Sequence, residues 1–111
     1  MGKYLKIMEI SSELLREKIN NGEKVIVDFH AIWCFPCKSM KPTFERLANE
    51  NTTDIGMYTM DVDQNRELAI ELGIRSVPTI KVFNGGGVVE TKIGVLKEGE
   101  IKELMTELLN G

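Results

Sequence analysis

The chain has few of the residues that would supply simple structural explanations: two cysteines, three prolines, one histidine and one tryptophan among 111 residues. With His30 as the single histidine and only two thiols, a four-ligand structural zinc site would have to borrow carboxylates or a second chain, and no metal is expected. So few cysteines also exclude the cross-linked scaffold of small secreted domains. No apolar run approaches the length needed to cross a bilayer, so no membrane association is expected. The start, Met1-Gly2-Lys3-Tyr4-Leu5-Lys6, lacks an apolar h-region, and Lys6 stands where a myristoylation signal needs Ser or Thr. The chain is therefore expected to be cytoplasmic. Fourteen basic against seventeen acidic residues give a net charge of -3 with no basic block, which argues against nucleic acid as a partner.

What is present is the composition of an ordinary globular protein, 42% hydrophobic and 28% charged, expected to form one domain over residues 1–111. Residues 4–10 alternate loosely as a first strand. Ser11 or Ser12 then caps a helix carrying Leu14, Leu15 and Ile19, stopped by Asn20-Asn21-Gly22. Residues 24–30 are β-branched and aromatic with little alternation, the pattern of a central strand covered on both faces. A second helix is expected from near Cys34 to about Asn49. A third strand follows over residues 55–62, then a short helix over residues 65–72 with Asp63 or Asn65 as its cap. Residues 79–83 and 88–93 flank Asn84-Gly85-Gly86-Gly87, the signal of a hairpin with a loop slightly longer than two residues. Ile101, Leu104, Met105 and Leu108 recur at helical spacing and mark a terminal amphipathic helix. The order βαβαβαββα implies an α/β fold, a mixed central sheet with helices on both faces.

Both cysteines lie in Trp33-Cys34-Phe35-Pro36-Cys37, where a buried strand feeds a helix. Unpaired amides at a helix start, together with the helix dipole, favour negative charge, so Cys34 is expected to ionise more readily than a free thiol. Cys37, three positions on, falls on the same helical face at roughly 5–6 Å, a separation that a disulfide accepts. Pro36 fits the first turn, where its missing N–H costs nothing. An incidental pair remains an alternative, but strand, cysteines and helix in this order favour redox chemistry. Asp28 interrupts the most apolar strand, six residues before Cys34. Burial among Val25, Ile26, Val27 and Phe29 would raise its pKa and make it a proton acceptor for Cys37.

Val27-Asp28-Phe29, Trp33-Cys34-x-Pro36-Cys37-Lys38, Asp61-Val62-Asp63-Gln64-Asn65, Gly73-Ile74-Arg75-Ser76-Val77-Pro78-Thr79 and Lys92-Ile93-Gly94 occur in the order and spacing of the thioredoxin family. The chain resembles that family over nearly its whole length. The resemblance implies the thioredoxin fold, with a five-stranded mixed sheet flanked by four helices, and a redox-active Cys34–Cys37 disulfide. It further implies a cis Pro78 beside the cysteines, Trp33 packed over the site as a wall, and a target segment pairing with the backbone of Val77 while Gly94 leaves it room. The implied activity is reduction of disulfides in cytosolic target proteins by a monomer without bound cofactor, recharged by a thioredoxin reductase linked to NADPH or ferredoxin. The reduction potential carried over from that family itself, roughly -270 mV, favours reduction of substrates.

The chain departs from the family pattern at Phe35, where glycine is usual, at His30, where many relatives have tryptophan, and at Thr59, in place of a lysine beside the buried aspartate. Lys97 replaces a helix-capping serine, and Lys38 follows the site as a candidate aid to Cys34. Two alternatives accompany the general reductase. One is a dedicated member whose potential and partner range are shifted by Phe35; the other is a binding module whose cysteines are vestigial or hold metal.

Overall fold

The computed structural model describes residues 8–111, which form four helices and a four-stranded sheet. The elements are α1 (Ser12–Asn20), β1 (Val25–His30), α2 (Phe35–Glu50), β2 (Gly56–Asp61), α3 (Arg66–Glu71), β3 (Thr79–Asn84), β4 (Gly87–Ile93) and α4 (Glu98–Asn110). The sheet order is β2-β1-β3-β4, with β1 parallel to β2 and antiparallel to β3, and β3 antiparallel to β4.

Strand β1 is central and covered on both faces because its side chains alternate between two cores. Val25, Val27 and Phe29 pack with Leu15 of α1, Leu68 of α3, Met60 and Phe83 on one face. Ile26 points the other way, into Met40, Phe44 and Leu47 of α2, Ile101 and Leu104 of α4, Ile80 and Val82. The same period of two puts Asp28 on the side of Ile26, facing α2 rather than α1. Glycine stops α1 as expected, with Gly22 at φ 74°. Ser11 caps the start of that helix by accepting from the Leu14 N–H at 3.1 Å.

Four expectations need correction. The sheet has four strands rather than five among the described residues. Most of the expected first strand lies outside them, and its described end makes a single parallel bridge, Glu9 to Thr59. There the Thr59 N–H donates to the Met8 carbonyl at 2.8 Å and the Ile10 N–H to the Thr59 carbonyl at 2.9 Å. The hairpin loop is the two-residue minimum, because Gly87 already pairs with Asn84 and only Gly85 (φ 68°) and Gly86 (φ 100°) turn the chain. Asn65 occupies the N-cap position of α3 but makes no side-chain bond to that helix. Its oxygen instead accepts from Ser12 N–H (3.1 Å) and Oγ–H (2.6 Å), and its amide donates to the Asp61 carbonyl (2.9 Å), tying α1 to the end of β2. Asp63, the other expected cap, donates its own N–H to Asp61 Oδ1 at 2.8 Å.

Candidate functional site

The site forms where β1 ends and α2 begins. Cys34 is the N-cap of α2 with extended backbone (φ -88°, ψ 109°), and its Sγ accepts from the Cys37 N–H at 3.2 Å. Pro36 lies in the first turn, as its fixed φ and absent N–H permit. One turn of helix brings the Cα atoms of Cys34 and Cys37 to 5.3 Å, and the two sulfurs form a disulfide. Thiolate character released at Cys34 would therefore meet the amide end of α2, the most favourable place for it in the helix.

Both cysteines are buried, each 3% exposed, and pack with Ala31, Val62 and Val77. Their flanks are open: Ile32, Trp33 and Phe35 are 68%, 70% and 79% exposed. Trp33, expected as a wall over the site, is largely open to solvent. It stands out into solvent, tethered by its indole N–H to Asp63 Oδ2 at 2.8 Å, and lines a shallow groove with Val62, Ile74, Arg75 and Val77. Phe35 directly follows Cys34 in the chain and is exposed, as is Ile32, which the sequence did not single out.

The loop before β3 closes the site. The Val77–Pro78 peptide is cis, and the Val77 carbonyl oxygen lies 3.6 Å from Cys34 Sγ. Gly94 donates its N–H to the Pro78 carbonyl at 2.9 Å, takes φ 98°, and has open space where a Cβ would stand. A side chain there would be strained by the backbone alone, whatever the free space.

Asp28 is 1% exposed, and its Oδ1 has no hydrogen-bond partner among the described residues. Burial pushes its pKa up to about 7. The positive charges of His30 and Lys41 work against that rise, and the negative charges of Glu9 and Glu45 add to it. Asp28 and Cys37 share a cavity of about 150 Å³, also lined by His30, Ala31, Ile32, Lys38, Lys41 and Thr59, which is roomy enough to hold water beside the two groups. Lys38 is exposed and borders the cavity of Cys37.

Thr59 pairs with Asp28 across the β1–β2 ladder and is itself buried, but it brings no charge. Its hydroxyl donates to Glu9 Oε1 at 2.7 Å. His30 Nε2 meets the same oxygen at 2.8 Å, and the Asp61 N–H donates to Glu9 Oε2 at 2.6 Å. The bond to Glu9 raises the His30 pKa against the opposing effect of burial. For Glu9 burial works upward, yet hydrogen bonds from His30, Thr59 and Asp61 leave its pKa lowered. Glu9 and Lys41 were missed in the sequence. Lys41 had a signal, since it follows Cys37 by four positions on the same helical face. Glu9 had none, being 21 residues from His30 with nothing local to join them.

Among the described residues, no three His, Cys, Asp or Glu side chains cluster as a metal site, and no helix is long and apolar enough to cross a membrane.

Comparison with known proteins follows the same lines. The family model described as Thioredoxin matches residues 6–107. Thioredoxin of Mycoplasmoides gallisepticum is 40% identical over 91 residues, covering 82% of this chain and 90% of that one. Thioredoxin of Buchnera aphidicola is 33% identical over 106 residues, covering 95% and 98%. A solved structure of Malassezia sympodialis thioredoxin superposes with a TM-score of 0.80 at 28% identity, covering 96% of this chain and 94% of that one.

Proposed function

The chain belongs to the thioredoxin family and is a thiol–disulfide oxidoreductase, and from that premise we propose the residue roles and partners of its reaction. In the reduced protein Cys34 is the attacking thiolate. It forms a bond to one sulfur of a target disulfide, and the other target sulfur leaves with the bonding electron pair. Cys37 then gives its proton to the Asp28 carboxylate through the shared cavity and attacks Cys34 Sγ. The Cys34–target bond breaks with its electrons on the target sulfur, so the target departs reduced and the Cys34–Cys37 disulfide is restored. Asp28 passes its proton to the departing target thiolate, and a reductase must return two electrons, with one proton for Cys37, before the next cycle.

The observation that carries this reading is the Cys34–Cys37 disulfide at the amide end of α2, with an unpartnered, buried Asp28 oxygen in the cavity of Cys37. Val77 supports the docking role assigned to it, since its carbonyl faces Cys34 and offers a backbone edge to an extended target segment, with Gly94 leaving space nearby. Trp33 contributes the wall of the adjoining groove. The partners are disulfide-bearing proteins of the cytoplasm and a thioredoxin reductase driven by NADPH or ferredoxin. Turbidity from insulin reduction by dithiothreitol tests the activity: wild type accelerates it, and Cys34→Ser does not. A Cys34→Ser variant as fast as wild type would overturn the assignment of the nucleophile. Mixed disulfides trapped by Cys37→Ser identify the partners.

A narrower partner range has one observation in its favour, the 79% exposure of Phe35 directly beside Cys34. A bulky apolar group there selects targets with a complementary hollow. Equilibration with glutathione separates the two versions, because a strongly oxidising potential marks the dedicated form.

A further inference from the structure

Resting on the reading of Asp28 as proton acceptor, we propose that His30, held by Glu9 at the wall of the cavity shared by Asp28 and Cys37, is a positioning residue for the resolving step. Its positive charge keeps the Asp28 carboxyl ionised and so able to take the Cys37 proton.

Asp28 has no short-range help in carrying charge. Its Oδ1 has no hydrogen-bond partner among the described residues, and its neighbour across the ladder, Thr59, has committed its hydroxyl to Glu9. Whatever favours the carboxylate must act through space, where a charge within several ångströms in a partly buried site is worth more than in water. Two cations among the described residues act on Asp28 in that sense, His30 and Lys41. Lys41 is mostly exposed and lies 3.9 Å from Glu45 on its own helix, which offsets it. His30 is the more buried of the two, and both oxygens of its partner Glu9 are engaged, by Thr59, His30 and the Asp61 N–H. The imidazole is thereby fixed in place and favoured in its charged form, with Asp61 adding to that preference. Lys38 lines the same cavity, while Glu9 and Glu45 oppose ionisation of Asp28. Removing the imidazolium alone would thus leave Asp28 facing an uncompensated Glu9.

The resolving step can be read separately. Reduced protein mixed with excess 5,5′-dithiobis(2-nitrobenzoate) releases one thionitrobenzoate when Cys34 attacks and a second when Cys37 resolves the mixed disulfide. In His30→Gln the second release is expected to be roughly three- to tenfold slower at pH 6.5 and unchanged at pH 9, with the first release unaffected. Adding Glu9→Gln to that variant recovers much of the loss, because the uncompensated anion is gone; a merely structural defect would deepen. A second-phase pH profile in His30→Gln that superimposes on wild type overturns the proposal, as does a double variant slower than the single. Should His30→Gln fail to fold, carboxyl and imidazole NMR titration of the oxidised wild type decides instead: the Asp28 curve must show a step where His30 titrates, and its absence overturns the proposal. If Asp28→Asn leaves the second phase untouched, the role of Asp28 itself has failed, an outcome distinct from a failure of His30.

Discussion

A carboxyl group 1% exposed, with one oxygen lacking a hydrogen-bond partner among the described residues, is costly to the fold whenever it is ionised. The folded pKa of Asp28 is raised from 3.8 to about 7, so the native state binds this proton more tightly than the unfolded chain. Its contribution to stability is complete below about pH 4 and is lost progressively as pH rises through 7, by an amount on the order of 2–4 kcal/mol. Asp28→Asn is accordingly expected to unfold at higher denaturant concentration than wild type at pH 8, with the two nearly equal at pH 4, while the resolving step slows in the same variant. Equal midpoints at pH 8 would contradict this. The sequence disclosed Asp28 because an acid in an apolar run needs an explanation wherever it lands. It did not disclose the exposure of Trp33, which depends on Asp63, thirty positions away, taking the indole N–H. Nor did it disclose the surroundings of Asp28, because Glu9 reaches His30 and Thr59 only once the segment before α1 lies along β2.

At the scale of elements, helices α2 and α4 begin differently. α2 is capped by Cys34, so the group that caps is also the group that reacts. α4 begins at Lys97, whose ammonium can only donate and so cannot satisfy the first amides of the helix. Half of a capping box survives there, since the Glu100 carboxylate accepts from the Lys97 N–H at 2.9 Å. Lys97→Ser completes the box and is expected to raise stability by about 1 kcal/mol in urea unfolding, without change in disulfide exchange. No gain would mean that water already serves those amides equally well. The ends of α1 were legible because Ser11 and Asn20-Asn21-Gly22 announce them. The hairpin was misjudged by one residue on each strand because three successive glycines do not show which of them has joined the strand; the pairing of Asn84 with Gly87 draws in both. Asn65 was misjudged as a cap because its side chain has a better use, bridging α1 to the end of β2.

For the whole molecule, one sheet separates two cores that share it, with α2 and α4 over one face and α1 and α3 over the other. Neither core is expected to persist alone, because β1, β2 and β3 each give side chains to both. Phe44→Ala, at a fully buried position of the α2 side, is expected to cost about 3–5 kcal/mol. It should do so in one transition, with far-ultraviolet circular dichroism and Trp33 fluorescence changing together; separated transitions would show that the faces unfold independently. This architecture was readable at a distance, since alternation of strand and helix, a doubly covered strand and a glycine hairpin leave few arrangements. What it costs the molecule in freedom follows from β1, which anchors both cores and also carries Asp28 and His30. A lineage that retuned its proton acceptor would risk its foundation, whereas a change at the exposed Phe35 leaves both cores as they are. Descendants of this gene can therefore be expected to diversify in whom they serve long before they diversify in how the exchange is done.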